Sequence, residues 1–459
     1  MNIIKWFDFR KIKKFFSRNT LAAVKLIPKH LSKTDKLLIS GLTFVIVIAG
    51  FFLWYNYWLG STKEVPAFGG TLVEGMVGEP KDMEKQLARL TSAGLTKLQP
   101  TGEIKGDIAE SWEMIDDGKT YQFKLREGFN AQDLAYQLEN KKVWSGIEVS
   151  TPADNLINFK FKQKFSPFLY ISTEPIFNYG PYKITKEEKD RITLVANENY
   201  WQGKTHISKI IIRLYPNEDS LMKAAKNHEI MTYMKESKDA WQDSSDSLFE
   251  MALPRETLLF FNMKNADLKL KALRQTLRDN KPADKDYTFT LVTSDTQKNL
   301  AMAEKIKTDW ALLKVSINIK KYDNTTLQKN IIPKREYDIL LYKLDYGQDP
   351  DPYPFWHSSQ MDLAKNPSGM NLSNYSNTKA DKLLEDARTT FDFSVREAKY
   401  TDFKKIIEDE VPYIKISQDF VYYVVDRKVK GLEKIFGSSS TDRFLTIDNW
   451  FINSKRVKK

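Results

Sequence analysis

The sequence predicts an α/β body preceded by one transmembrane helix, and three stretches predict it. Residues 37–59, LLISGLTFVIVIAGFFLWYNYWL, carry no charge over twenty-three positions, enough to cross a bilayer core. Residues 287–319 read as strand, helix and strand in turn, a β-α-β unit of the kind that builds a parallel sheet. Residues 112–125 read as a hairpin: Asp116, Asp117 and Gly118 form its turn, and Tyr121, Phe123 and Leu125 then alternate with polar residues.

The first 36 residues hold ten Lys or Arg (Lys5, Arg10, Lys11, Lys13, Lys14, Arg18, Lys25, Lys29, Lys33, Lys36) against Asp8 and Asp35. Of the formal net charge of +11, eight therefore lie ahead of the apolar run. The remaining body is nearly balanced, which argues against a nucleic-acid partner. A basic flank before the span places the N-terminus in the cytoplasm and the body outside the cell membrane. Trp54, Tyr55, Tyr57 and Trp58 fall where an interfacial aromatic belt is expected. The competing reading is a cleaved signal peptide ending at Gly60-Ser61-Thr62. Trp6, Phe9, Ile12 and Phe16 share one helical face among basic residues. Residues 1–36 are thus expected to be a cytoplasmic basic amphipathic tail on the inner leaflet, and residues 1–59 as a whole to contact lipid.

Beyond the expected span (37–59) and a linker (60–70), residues 71–262 read as a first lobe with an inserted subdomain. A strand-like run, TLVEGMVGEP, opens it. After the hairpin, AQDLAYQLE reads as a helix starting near Asn130, and Ile157, Phe159 and Phe161 alternate as a further strand. NYGPYKI at 178–184 sets a tight turn, 191–196 and 207–215 are strands, and a helix begins at Asn217. Residues 263–420 read as a second α/β lobe. Its helix keeps Leu300, Ala303, Ile306, Trp310 and Leu313 at helical spacing, Val315, Ile317 and Ile319 alternate after it, and two more helices are expected near 378–389 and 395–410. Residues 421–459 read as the return to the first lobe.

The order EGMVGEP, GDIAESWEMIDDGKTYQFKLREGF, AQDLA, GPYKI, NENYWQGKTHISKIIIRL and LLFFN resembles that of the solute-binding proteins of peptide and nickel ABC importers. The resemblance extends over about 70–432 and takes in DPDPYPFWHSSQ and NLSNYSNTKADKLLEDAR. It implies a two-lobed periplasmic-binding-protein-like fold with a large first lobe that captures peptides and delivers them to ABC transporter permease subunits. It also implies that an Asp near the start of an aromatic, proline-containing loop holds the ligand's α-ammonium group. Two stretches are shorter than the family pattern: the segment after ALRQTLRDN, and the one between AQDLA and the strand at 157.

That loop is residues 337–360, YDILLYKLDYGQDPDPYPFWHSSQ. It starts as a strand and then crowds Asp345, Asp349 and Asp351 together with Pro350, Pro352 and Pro354 and five aromatics, a mixture that stops a strand. A peptide zwitterion needs a desolvated carboxylate, main-chain partners and apolar walls. Asp345, followed by Tyr346, and Asp349, followed by Pro350, are the two candidates for the carboxylate, with Asp345 ranked first. Tyr342, Tyr346 and Trp356 are candidate walls, although Trp356 also suits a core. His357 reads as structural, Tyr182 as a weak pocket candidate, and NYW at 199–201 as a packing turn.

The absence of cysteine and the four scattered histidines give no metal-ligand spacing, and no catalytic motif or cofactor loop is present. The chain is therefore expected to be a binder and not an enzyme, without metal or cofactor. The alternatives are a degenerate binding domain serving as a membrane-anchored sensor or envelope module, and a binder of a non-peptide solute.

Overall fold

The computed structural model describes residues 32–459 apart from 100–101, 140–143, 145, 348, 350, 368 and 433–438. The amphipathic reading of the basic tail thus falls almost wholly outside the described residues. The chain divides into two units, residues 1–67 with 454–459 and residues 68–453.

In the first unit the apolar run forms helix α1 (Lys33–Ser61), begun by a capping box between Ser32 and Asp35. Its apolar side chains, from Leu37 to Trp58, stand exposed. Among the described residues it is the one helix long and apolar enough to span a membrane. The expected linker is instead partly a strand, β1 (Thr62–Pro66), paired antiparallel with the distant strand Ser454–Lys458. A pairing partner nearly 400 residues away leaves no local signal, so the stretch read as a loop.

The second unit opens with β2 (Thr71–Val77), helix α2 (Glu84–Thr91) and the small ladder β3 (Thr96–Leu98) and β4 (Ile104–Gly106). The inserted sheet follows as β5 (Ala109–Ile115), β6 (Thr120–Leu125), helix α3 (Ala131–Leu138), β7 (Glu148–Ala153) and β8 (Leu156–Lys160), in the order β5-β6-β8-β7. Asp116, Asp117 and Gly118 all take positive φ at the hairpin turn. Asn130 caps α3 by accepting from the amides of Gln132 and Asp133. Tyr121, Phe123, Phe159 and Phe168 fill the core of this sheet.

The main sheet continues with β9 (Tyr182–Glu188), β10 (Arg191–Ala196), β11 (Lys209–Tyr215), helix α4 (Glu218–Lys226), β12 (Thr232–Lys235) and the 15-residue β13 (Ser247–Phe261). Helix α5 (Lys271–Arg278) then leads into β14 (Tyr287–Ser294), helix α6 (Gln297–Ala311), β15 (Val315–Tyr322) and β16 (Ile339–Asp345). Helices α7 (Thr378–Arg388) and α8 (Phe393–Glu410) precede β17 (Tyr413–Val425). The ten strands lie in the order β15-β14-β16-β13-β17-β12-β2-β11-β10-β9. β14 pairs parallel with both β15 and β16, as a β-α-β unit requires.

β13 and β17 run through both lobes. The first half of β13 meets the end of β17 (Ser247 opposite Val425), and its last residues meet the start of β17 (Phe260 opposite Tyr413). β17 therefore spans positions on both sides of residue 420, where the sequence suggested a break between lobe and return. The ladder slips between Ala252 and Glu256, beside Pro254, which has no amide proton to donate. In the second lobe β13 is buried on both faces. Leu258 and Phe260 enter one core with Leu340 and Trp356, and Leu259 and Phe261 enter the other with Leu291 and Trp310.

The first-lobe core gathers Leu72, Ile192, Ile210, Tyr182 and Trp450. Within it Glu74 is fully buried. It accepts from Arg443 Nε at 3.0 Å, from the Tyr423 hydroxyl at 2.7 Å and from the Thr232 hydroxyl. One carboxylate thus ties β2, β12, β17 and the segment beyond residue 439 together. Its neighbour Gly75 is needed for packing, because a Cβ there would lie 2.6 Å from Leu221 on α4 and from Ile230. Removing the carboxylate as Glu74→Ala leaves the buried Arg443 cation unpaired. Chemical denaturation should then register a loss of about 3–5 kcal/mol, and a loss below about 1 kcal/mol would contradict this role for Glu74.

Candidate functional site

The acidic loop leaves the end of β16, and the strand's two-residue period decides where its carboxylates go. Leu344 is buried, so Asp345 points out with Lys343. Asp345 is half exposed, receives Arg255 Nε at 3.0 Å from β13 and accepts from the Gly347 amide at 2.9 Å. It is therefore not the desolvated carboxylate that ranked first on sequence. Tyr342 and Tyr346 are half-buried against the second-lobe core. The Tyr342 hydroxyl accepts from Gln328, and Tyr346 packs edge-on against Phe355 with centroids 5.2 Å apart. Trp356 is buried and stacks on Tyr413 at 4.9 Å, which makes it core. His357 is held by Ser359 and Glu385, and the Tyr182 hydroxyl donates to Ile207 O inside the first-lobe core.

Asp349 lies in the opposite environment. Its side chain is 17% exposed, and Oδ1 receives Arg396 Nη2 at 3.0 Å and the Asp351 amide at 3.1 Å. Its Oδ2 is buried and has no hydrogen-bond partner. Burial pushes this carboxyl up to about 6, against the pull of the Arg396 guanidinium. Asp351, also buried, binds Arg388 Nε at 2.7 Å and caps the turn at the Tyr353 amide. Arg396 donates to the Tyr400 hydroxyl as well, at 2.8 Å.

These residues face the inserted sheet of the first lobe. Arg396 lies over the Tyr170 ring at 5.5 Å, and Arg388 lies over Phe165 at 5.5 Å and Tyr353 at 3.9 Å. Phe391, between α7 and α8, meets Tyr121 edge-on at 5.9 Å. Ser166 closes the contact: its amide donates to Arg388 O at 2.8 Å and its hydroxyl to Ala387 O at 3.0 Å, satisfying the last carbonyls of α7. Sequence reasoning missed Arg388, Arg396, Tyr170 and Ser166. The available signal was an arginine on each of the two helices that follow the acidic loop in sequence.

A small recess sits elsewhere, in the first lobe, between Lys97, Asp107, Tyr200 and Asp448. Lys97 pairs with Asp448 at 3.4 Å, and Trp201 Nε1 donates to Asp107, whose carboxyl is raised by burial. The NYW segment therefore packs at this recess, away from the acidic loop. Among the described residues no cluster of His, Cys, Asp or Glu is arranged to hold a metal.

Residues 103–279 match the model of the bacterial extracellular solute-binding proteins, family 5, in its middle region. The dipeptide-binding protein of Escherichia coli is 22% identical over 72% of this chain and 84% of its own length. The oligopeptide-binding protein AppA of Bacillus subtilis is 21% identical over 78% of this chain and 87% of its own. The ABC transporter substrate-binding protein CtaP of Listeria monocytogenes superposes with a TM-score of 0.65 at 20% identity, covering 84% of this chain and 99% of that one. Two lobes joined by one sheet, with these likenesses, give the fold of a two-lobed periplasmic binding protein and support a solute-binding role. The relatives it matches over most of their length are peptide-binding proteins.

Replacing Arg396 by Met removes the cation nearest Asp349 and leaves the burial. The Asp349 carboxyl should then titrate above its present value of about 6, read by carboxyl-carbon NMR, and an unchanged midpoint would show that the pair is not formed.

Proposed function

We propose that the body captures a peptide through its α-ammonium group, that Asp349 is the carboxylate receiving it, and that the protein delivers the peptide to ABC permease subunits while tethered by α1. The observation that carries this reading is the Oδ2 of Asp349, buried and unpartnered at the meeting of the two lobes. A buried acceptor with nothing to accept is costly, and an ammonium donor is the group that best relieves it. Arg396 occupies Oδ1, so the ligand adds to the pair and does not replace it. Binding is noncovalent, between two lobes that both contain part of the β13–β17 ladder, so neither residue 262 nor residue 420 is a sharp boundary. Tyr170, Tyr353 and Tyr400 supply the apolar walls in place of Trp356.

Arg456 supports a retained helix. Its Nη2 donates to Leu59 O at 3.0 Å and its guanidinium lies 5.0 Å from the centre of the Trp58 ring. The last turn of α1 is thereby built into the β1 ladder, as a segment destined for removal would not need to be.

Calorimetry with a mixed set of di- to pentapeptides should find saturable binding to the whole chain. Asp349→Asn should weaken it by about 3–5 kcal/mol, and Asp345→Asn should leave it unchanged. No affinity in a folded protein free of copurified peptide would favour a non-peptide solute or a sensor. The reverse ranking of the two variants would return the role to Asp345.

Affinity should also depend on pH. An ammonium ligand needs Asp349 ionised, so the apparent dissociation constant should rise about ten-fold per pH unit below about 6. The stability of the empty protein runs the other way through this group. Its folded value lies above the unfolded one, so its contribution is fully present below about 4 and is lost as the pH rises through about 6. Titration calorimetry from pH 7 to pH 5 would read the first effect, and a flat profile would contradict it.

A further inference from the structure

The ladder between β1 and the strand Ser454–Lys458 begins one residue after α1 ends, so on the tethered reading it lies at the outer membrane surface. Residues opposite one another in an antiparallel ladder share a face. Here Lys63 stands opposite Val457 and Val65 opposite Lys455. The Lys459 amide extends the ladder to Ser61 O at 3.0 Å, which puts the Lys459 side chain on the same face. That face therefore presents three exposed lysines around two half-buried valines and no carboxylate. The other face carries Glu64 opposite Arg456, and Arg456 Nε binds the Thr62 hydroxyl at 2.9 Å while its Nη2 binds Thr62 O at 3.0 Å. Arg456 thus fixes the ribbon to the end of the helix, and the lysine face keeps one orientation to the span.

We propose that this lysine and valine face binds the phosphate headgroups of anionic phospholipid in the outer leaflet. The inference rests on α1 remaining in the membrane. Lysines at this spacing can each meet a separate phosphate, and the two valines suit the apolar boundary beneath the headgroups. Each lysine near an anionic surface contributes about a five-fold gain in surface partition. Three acting together should hold the ribbon down most of the time.

The chain has no cysteine, so Ser454→Cys accepts a single fluorophore in the full-length protein. In nanodiscs of phosphatidylcholine, with and without phosphatidylglycerol, energy transfer to a headgroup-labelled lipid reports contact. Docked ribbon should outweigh free ribbon on the order of a hundred-fold more in the anionic discs than in the neutral ones. The gain should vanish in high salt and in the triple variant Lys63→Gln, Lys455→Gln, Lys459→Gln, and survive in the matching Lys→Arg triple. All three positions are exposed, and an unchanged thermal melt would show that the Gln variant folds. Equal transfer in both discs, or an unaltered Gln triple, would overturn the proposal and leave the tether standing. A chain that does not enter the discs at all would overturn both.

Discussion

Everything in the body hangs on the antiparallel pairing of β13 with β17. The two strands form one ladder that enters the first-lobe core at Phe249 and Tyr423 and the second-lobe cores at Leu258 to Phe261. Lobes sharing a sheet cannot slide past each other without breaking ladder bonds, but they can bend where the ladder is already interrupted. The slip between Ala252 and Glu256, with Pro254 inside it, supplies that place. Bending there changes the distance between the acidic loop and the inserted sheet while both hydrophobic cores stay intact. A hinge so placed would need no flexible linker, only two long strands whose ladder is interrupted, between Ala252 and Glu256 and again between Thr257 and Leu258.

Where the lobes meet, the chemistry is ionic and aromatic instead of aliphatic. Arg396 with Asp349 and Arg388 with Asp351 alternate in sign, and each guanidinium also covers an aromatic ring. An aliphatic interface of this kind would favour the shut form whether or not ligand were present. The two ion pairs lie inside the second lobe, where desolvation offsets most of their attraction, and they meet the first lobe through the guanidinium faces over Tyr170 and Phe165. They hold the acidic loop against α7 and α8 and do not themselves clamp the lobes together. On the proposed reading, Asp349, raised to about 6 by burial, is where a ligand's cation would enter this arrangement.

Much of this was legible in the sequence, and the limits have physical causes. Periodicity located β10, β14, β15 and α3 because each buries one face against its own lobe, so its pattern is local. The end of β16 was equally readable. Lys343 and Asp345 share a face, and a lysine on that face marks it as solvent, which would have demoted Asp345 at once. The partners were not readable. Glu74 finds Arg443 at a separation of 369 residues, and β1 finds Ser454–Lys458 across nearly the whole chain. Neither leaves a pattern within any window of sequence. Arg396 lies only 47 residues from Asp349, yet nothing in the spacing of α8 distinguishes a buried arginine from a solvated one.

On the proposed reading of α1 as a retained anchor, the body would meet its permease at an effective concentration of about the millimolar range, whereas a diffusing binding protein must reach it by affinity and abundance. Docking can then be weak and fast, and selection falls on ligand capture alone. With Arg456 joining Leu59 and Thr62 across the end of the helix, the β1 ladder continues directly from α1, and no free chain intervenes between the helix and the ribbon.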